Sequence, residues 1–328
     1  MKMLKLLALD RFTILLFVMV VLASVLPISG KAAEVFSVVT TVAIAILFFL
    51  HGAKLSRQAV IDGILHWKLH ALVFAFTFAL FPLLGLMAKP ILLPLLGKEL
   101  YWGFLFMCFL PSTVQSSIAF TSVARGNVAA AVCSASFSNL IGMFITPILV
   151  AFFILSQSEH DFNPTAAIVK ITLLLLVPFI LGQVLRPYIY PHMQKFPSIV
   201  KSFDQGSILM VVYGAFSGAV VAGLWHQVSG VTLFYLTFAC SVLLTVIMLL
   251  GFYIPKWLGF NMPDQRAIFF CGSKKTLASG VPMAQILFIG QPLGMIVLPI
   301  MIFHQIQLMV CGILANYWSK EPMKSGDE

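Results

Sequence analysis

Two lysines stand side by side in an otherwise apolar run, Phe270–Cys271–Gly272–Ser273–Lys274–Lys275–Thr276–Leu277. One ammonium at a bilayer centre costs about 2.5–3.5 kcal/mol on an insertion scale. An adjacent pair would not be kept there facing lipid; it must face a cavity or a partner, which marks it as functional. A second polar interruption, Pro111–Ser112–Thr113–Val114–Gln115–Ser116–Ser117, splits another apolar run. Hydroxyls, an amide and unwound backbone suit the coordination of a small ion or solute. Polar residues continue through Thr121 and into the next run as Ser134, Ser136, Ser138 and Asn139. For those four, close helix packing and ligation are equally consistent with the spacing. His304 and Gln307 interrupt the last apolar run three residues apart, on one helical face. They suit an interhelical hydrogen bond or a proton relay.

The lysines could instead snorkel at a membrane surface. Arg266 marks that surface, however, and the eight to nine helical residues beyond it rise about 12–13 Å. This is near the middle of a hydrocarbon core of about 30 Å, so at least one lysine is expected to be buried. The 11 acidic residues all fall at predicted ends or loops. The lysine charge must then meet carbonyls, hydroxyls, water or an anionic substrate, or be neutral in part of the cycle. Lys170, about a turn and a half inside its span, reads as snorkelling.

Composition decides what holds these residues. The 328-residue chain is 60% hydrophobic and only 9% charged, with mean hydropathy +1.03. A soluble domain carries about 25% charged residues, so lipid must cover most of this surface. A cytosolic enzyme, a disulfide scaffold and a disordered chain are excluded. The five cysteines lie in apolar runs without CxxC spacing and read as buried thiols, with no cofactor implied. The +9 net charge lies mostly between apolar runs, where it orients a membrane protein and does not grip nucleic acid.

Ten apolar runs are long enough to span a bilayer: 12–29, 35–53, 69–87, 101–123, 127–155, 165–186, 206–225, 232–253, 265–289 and 293–316. The first lacks a clean cleavage site and is followed at once by another, so it reads as a membrane helix and not as a cleaved signal. With a cytoplasmic N-terminus, fourteen lysines and arginines fall inside and three outside. Trp67, Trp102, Trp225, Trp257 and Trp318 fall near predicted helix ends, as interfacial rings do. The expected fold is therefore an all-α polytopic membrane protein of ten helices, in one transporter domain over residues 1–328. The chain is expected in a bacterial plasma membrane, with both termini cytoplasmic, residues 317–328 as a short tail, and the monomer as the working unit.

Gln115 and Lys274 lie 159 positions apart, and the first and sixth runs begin 153 apart. The two interruptions therefore hold corresponding places in two five-helix halves, 12–155 and 165–316. An odd number of spans per half inverts the second against the first. Matched broken helices in an inverted repeat point to a transport site near the midplane. Their unwound backbone must find partners other than lipid.

Ala124–Arg125–Gly126–Asn127–Val128–Ala129, after a proline-led break and before the fifth span, resembles the bile acid:sodium symporter family. The lysine segment with Gly280–Val281–Pro282–Met283 is similar to its YfeH-type branch of symporters. That resemblance covers the whole chain. It implies a panel of helices one, two, six and seven against a core of the others, with substrate between them and sodium behind the helix crossing. By position, the family's sodium ligands fall near Ser116 and Ser117, and near Ala131 and Ala135, which lack side-chain oxygens. The family's acidic ligand in the ninth helix has no counterpart, and its neighbouring glutamine falls near Lys275.

The expected activity is secondary transport of an organic anion by alternating access. Gln115, Ser116, Ser117, Thr121, Ser273, Lys274, Lys275 and Thr276 would line the site. The coupling ion is sodium, held by hydroxyls and carbonyls, or a proton, with Lys275 standing in for the cation. The rival reading is a membrane regulator of ion homeostasis that binds an ion or lipid without net transport. No HExxH, GxSxG or buried carboxylate pair supports an enzyme.

Overall fold

A computed structural model describes residues 11–54, 66–154, 176–223 and 228–321. All regular structure among them is helical. The chain runs α1 (Arg11–Val25), α2 (Gly30–Lys54), α3 (Trp67–Met87), α4 (Lys89–Leu96), α5 (Lys98–Phe109), α6 (Gln115–Val123) and α7 (Val128–Phe153). It continues with α8 (Val177–Val184), α9 (Arg186–Lys195), α10 (Pro197–Val221), α11 (Gly230–Trp257), α12 (Met262–Gly272), α13 (Leu277–Leu287) and α14 (Leu293–Trp318). Six of these, α2, α3, α7, α10, α11 and α14, are long and apolar enough to cross a membrane. The run 101–123 is divided into α5 and α6, and the run 265–289 into α12 and α13. Lys170, Trp225 and the first half of the sixth expected run lie outside the described residues.

Two short helices, α4 and α9, occupy segments that read as loops from the sequence. Each has proline in its first turn (Pro90, Pro187), where the missing N–H costs nothing. Helix α10 starts at Pro197, nine residues before the expected apolar run, and so carries Lys201 and Asp204 on helix instead of loop.

The helices pack in two groups. Helix α2 packs against α8 and α10, and α10 packs against α1. The α2/α8 crossing is backbone on backbone: a Cβ on Gly182 would lie 1.9 Å from Phe49 O, and one on Gly52 2.0 Å from Phe179 O. Only glycine allows that approach. The second group places α12 against α3, α6, α7 and α11, and α14 against α5, α11 and α13. Helix α10 joins the groups through α13 and α14. Outward faces are apolar (Val35, Val38, Phe234, Phe238, Ile313 are all exposed), as lipid-facing helices must be.

The Ala124–Asn127 turn shows what its residues do. Arg125 adopts φ 57°, ending α6 in the left-handed region. Asn127 then caps α7 through Oδ1 to Ala130 N at 2.9 Å. Its Nδ2 donates to Asp264 Oδ1 at 2.7 Å, and its N–H to Pro263 O at 2.9 Å. Arg266 is buried, donating to Ala124 O at 2.6 Å and to Glu321 Oε2 at 2.9 Å. The turn thus ties α6, α7 and α12 together, with Arg266 as its buried clamp.

Candidate functional site

The two interruptions meet. Thr276 N–H donates to Pro111 O at 3.0 Å, one unwound strand to the other. Ser112 Oγ donates to Cys271 O at 2.6 Å, and Ser117 Oγ to Phe270 O at 3.2 Å, satisfying carbonyls at the end of α12. Ser112 N–H donates to Ser138 Oγ at 3.1 Å, and Asn139 Nδ2 to Ser112 O at 2.6 Å. Thr146 Oγ1 donates to Phe109 O at 2.7 Å. Buried backbone cannot be left without partners, and here the serines, Asn139 and Thr146 supply them. Gly142 leaves the room this needs: a Cβ there would lie 2.6 Å from Pro111 Cβ.

Lys275 is fully buried, and its ammonium is held by three carbonyls: Thr77 O at 2.8 Å, Cys108 O at 2.8 Å and Leu110 O at 2.7 Å. An ammonium has three donors, so all are used. Cys108 and Leu110 lie at the C-terminal end of α5, where carbonyls lack helical donors and partial negative charge gathers. Thr77 belongs to a π-helical turn, Phe76–Leu80. There the Phe81 N–H donates to Phe76 O, five residues back, so Thr77 O loses its usual donor. The Phe81 ring lies 4.1 Å from Nζ, a further favourable contact. Hydrogen bonds to a charged group contribute about 1.5–3 kcal/mol each, so three offset the about 2.5–3.5 kcal/mol insertion cost.

Lys274 is also fully buried. Its Nζ donates to Ser116 O at 2.9 Å and lies 4.2 Å from the Phe120 ring and 5.0 Å from the Phe270 ring. The serine hydroxyls nearby are engaged: Thr113 Oγ1 lies 2.6 Å from Ser116 Oγ and 3.2 Å from Ser117 Oγ. Gln307 is buried and bonds the Lys275 backbone on both sides, and its Nε2 lies 2.9 Å from His304 Nδ1.

Above this crossing is a cavity of about 590 Å³ between the two helix groups. On one side it is lined by the first residues of α6 and α13 with the turns before them, from Thr113 to Ser116 and from Thr276 to Ser279. On the other side stand His51, Lys54, Lys201, Asp204 and Gln205. Lys54 Nζ donates to Asp204 Oδ2.

Six expected site residues reach the cavity wall: Gln115, Ser116, Ser136, Asn139, Thr276 and His304. Ser117, Ser138, Lys274, Lys275 and Gln307 lie beneath it, in the hydrogen bonds of the crossing. Ser273 and Thr121 are buried, and among the described residues the Thr121 hydroxyl has no hydrogen-bond partner. Ser134 faces elsewhere, with Oγ 2.7 Å from His70 Nδ1. Sequence reasoning missed the α2 and α10 side of the wall. Asp204 read as one of the acids at predicted ends or loops, and no site role was expected of His51. The i, i+3 spacing of His51 with Lys54, and of Lys201 with Asp204, was the available signal.

The model of the SBF-like CPA transporter family matches residues 10–320, nearly the entire chain. The chain belongs to this transporter family. It is 56% identical over 311 residues to an uncharacterized protein of Pseudomonas aeruginosa, covering 95% of this chain and 93% of that one. It is 49% identical over 317 residues to "Putative symporter YfeH" of Escherichia coli, covering 95% and 94%. Sodium/bile acid cotransporter 7 of Danio rerio is 29% identical over 282 residues, covering 84% and 82%. This SBF-like chain is therefore a multi-pass membrane protein of a transporter family and not of an enzyme family.

Proposed function

We propose that this SBF-like chain is a secondary active transporter of a small organic anion, working by alternating access at the crossing of its two interrupted helices. The observation that carries this reading is the cavity wall. Two helix N-termini, those of α6 and α13, open on one cavity. N-termini present partial positive charge and unpaired N–H groups, which favour an anion. Lys54 and Lys201 add positive charge opposite. Names of relatives support the same class: one is called a symporter and one a sodium/bile acid cotransporter.

The division of the helices supports ten spans in two inverted halves of five, with α5/α6 and α12/α13 as single broken spans. Helices α1, α2, α8 and α10 would be the panel, and the remainder the core. Basic residues at the α2 and α10 ends of the cavity support a cytoplasmic position for that end, in a bacterial inner membrane.

For coupling, Lys275 stands where a transported cation would stand. Its ammonium takes three carbonyls that would otherwise suit a monovalent ion. Ser116 and Ser117 do not fit sodium well: their hydroxyls are engaged and the Lys274 ammonium lies against Ser116 O. The coupling ion is then a proton, or the protein is a uniporter. The test is uptake of labelled cholate into proteoliposomes with sodium and pH gradients imposed separately. Flux independent of sodium and lost in Lys275→Ala is expected. Strictly sodium-dependent flux surviving Lys275→Ala would overturn the lysine assignment. Specific binding with no flux under any gradient would favour a regulator.

A further inference from the structure

The cavity wall facing the crossing holds a carboxylate that the mechanism above does not use. Asp204 is the sole carboxylate on that wall among the described residues. One oxygen, Oδ2, accepts from Lys54 Nζ. The other, Oδ1, is buried with no hydrogen-bond partner among the described residues. A buried carboxylate oxygen left unpaired is costly, and a proton would relieve that cost. Lys54 is about one-third exposed, at 36%, while Asp204 is 14% exposed. The lysine can thus reach the cavity while the acid stays in the wall. Residue spacing places His51 one turn before Lys54, and Lys201 one turn before Asp204.

We infer that Asp204 and Lys54 form an exchange switch that couples the substrate anion to a proton. An arriving carboxylate takes the Lys54 ammonium from Asp204 Oδ2. Asp204 loses its counter-charge beside a second, already unpaired oxygen and takes one proton from water in the cavity. Its carboxylate becomes a carboxylic acid, and no other bond is made or broken. When the anion leaves, Lys54 returns and the proton is released to the same side as the substrate. One negative charge and one proton cross together, so the step is electroneutral. Among the described side chains, the charged and titratable groups on this wall are Lys54 and His51 from α2 and Lys201 from α10 itself, with His304 from α14 across the cavity. Helix α13 carries no charged residue. Arg186, His192 and Lys195 of α9 lie outside the wall.

This switch rests on the transport reading, and its test separates the two. Full-length protein in proteoliposomes is titrated by infrared difference spectroscopy, following the carboxylic-acid band that Asp204→Asn removes. Cholate, added as the probe, is expected to raise that band's midpoint by at least one pH unit, and Lys54→Met to raise it similarly without cholate. Parallel flux assays, free of sodium, compare counterflow exchange at equal pH with accumulation under an imposed pH gradient. The wild type is expected to accumulate cholate, and Asp204→Asn to lose at least tenfold of that accumulation. Wild-type exchange without pH-driven accumulation, or accumulation retained by Asp204→Asn, overturns the switch and leaves transport standing. No wild-type exchange at all overturns transport of this anion. The infrared shift then decides whether the switch operates on binding: a cholate-induced rise supports it, and an unmoved midpoint overturns it. Should Asp204→Asn fold poorly, the midpoint shift in Lys54→Met serves alone.

Discussion

Gln307 grips Lys275 at both faces of its peptide: Lys275 N–H donates to Gln307 Oε1 at 2.9 Å, and Gln307 Nε2 donates to Lys275 O at 2.9 Å. One side chain on α14 therefore replaces the two helical bonds that the break removes. It holds the Lys275 backbone outside the helix while the ammonium reaches the end of α5.

Gln307→Leu should leave the Lys275 N–H and carbonyl buried and unpaired. At about 1–3 kcal/mol for each orphaned group, the loss is about 2–6 kcal/mol. Thermal unfolding in detergent should show a large fall in midpoint. Ile313→Leu, at an exposed position on the same helix, should not show it. Equal midpoints for wild type and Gln307→Leu would refute this role.

Lys275→Ala should uncover three carbonyls with no donor. The variant should gain a stabilisation by sodium or potassium that the wild type lacks. Binding to the folded state alone stabilises by about 2.7 kcal/mol at a ligand concentration one hundred times Kd. Unfolding midpoints measured across a series of sodium, potassium and choline chloride concentrations check this. A salt response identical to that of wild type would count against the carbonyl cage.

Gly182→Ala should break the α2/α8 crossing, because the added carbon meets Phe49 O at 1.9 Å and both backbones would have to part. Gly218→Ala is the control. It also lies in a long helix, but nothing comes within 4 Å of its Cβ position. Glycine-to-alanine in a helix interior is worth up to about 1 kcal/mol in stability. Folded yield after extraction should therefore fall for Gly182→Ala and hold or rise for Gly218→Ala.

Ser134→Ala should cost the buried contact with His70, about 1–3 kcal/mol, while leaving the KM for transport unchanged, since Ser134 is not on the cavity wall. Asn139→Ala acts differently: Asn139 lines the cavity and bonds Ser112 O, so KM and stability should both change. Uptake kinetics and unfolding midpoints for the two variants separate the roles. A raised KM in Ser134→Ala would place that serine with the substrate after all.

Much of this site was legible in the residues. The lysines could be assigned a buried place because a paired charge in an apolar run has few tolerable surroundings, and carbonyls were among the partners expected. Spacing pointed to the segments 111–117 and 272–276 together, and the two meet at the Thr276–Pro111 hydrogen bond. Less legible were the contributions of backbone. Nothing in the side chains of Thr77 or Cys108 announces that their carbonyls face an ammonium, because any residue carries the same carbonyl. The π-helical turn that frees Thr77 O has no sequence signature in Phe76–Leu80. Similarly, Ser134, Ser136 and Ser138 look alike in the chain, yet helical rotation sends one to His70, one to the cavity and one to Ser112.

By itself, the sequence determined that the chain lies in lipid, that its backbone is helical, and that two segments must leave the helix and be satisfied by protein. Those follow from composition and from the cost of bare peptide groups in hydrocarbon, which depend on local chemistry. Only the tertiary structure decided which partners meet. Lys275 finds Thr77 nearly two hundred residues away, and Lys54 finds Asp204 across the gap between α2 and α10. Pairings at such separations are set by how helices pack, through contacts such as Gly182 on Phe49, and no local rule of spacing encodes them.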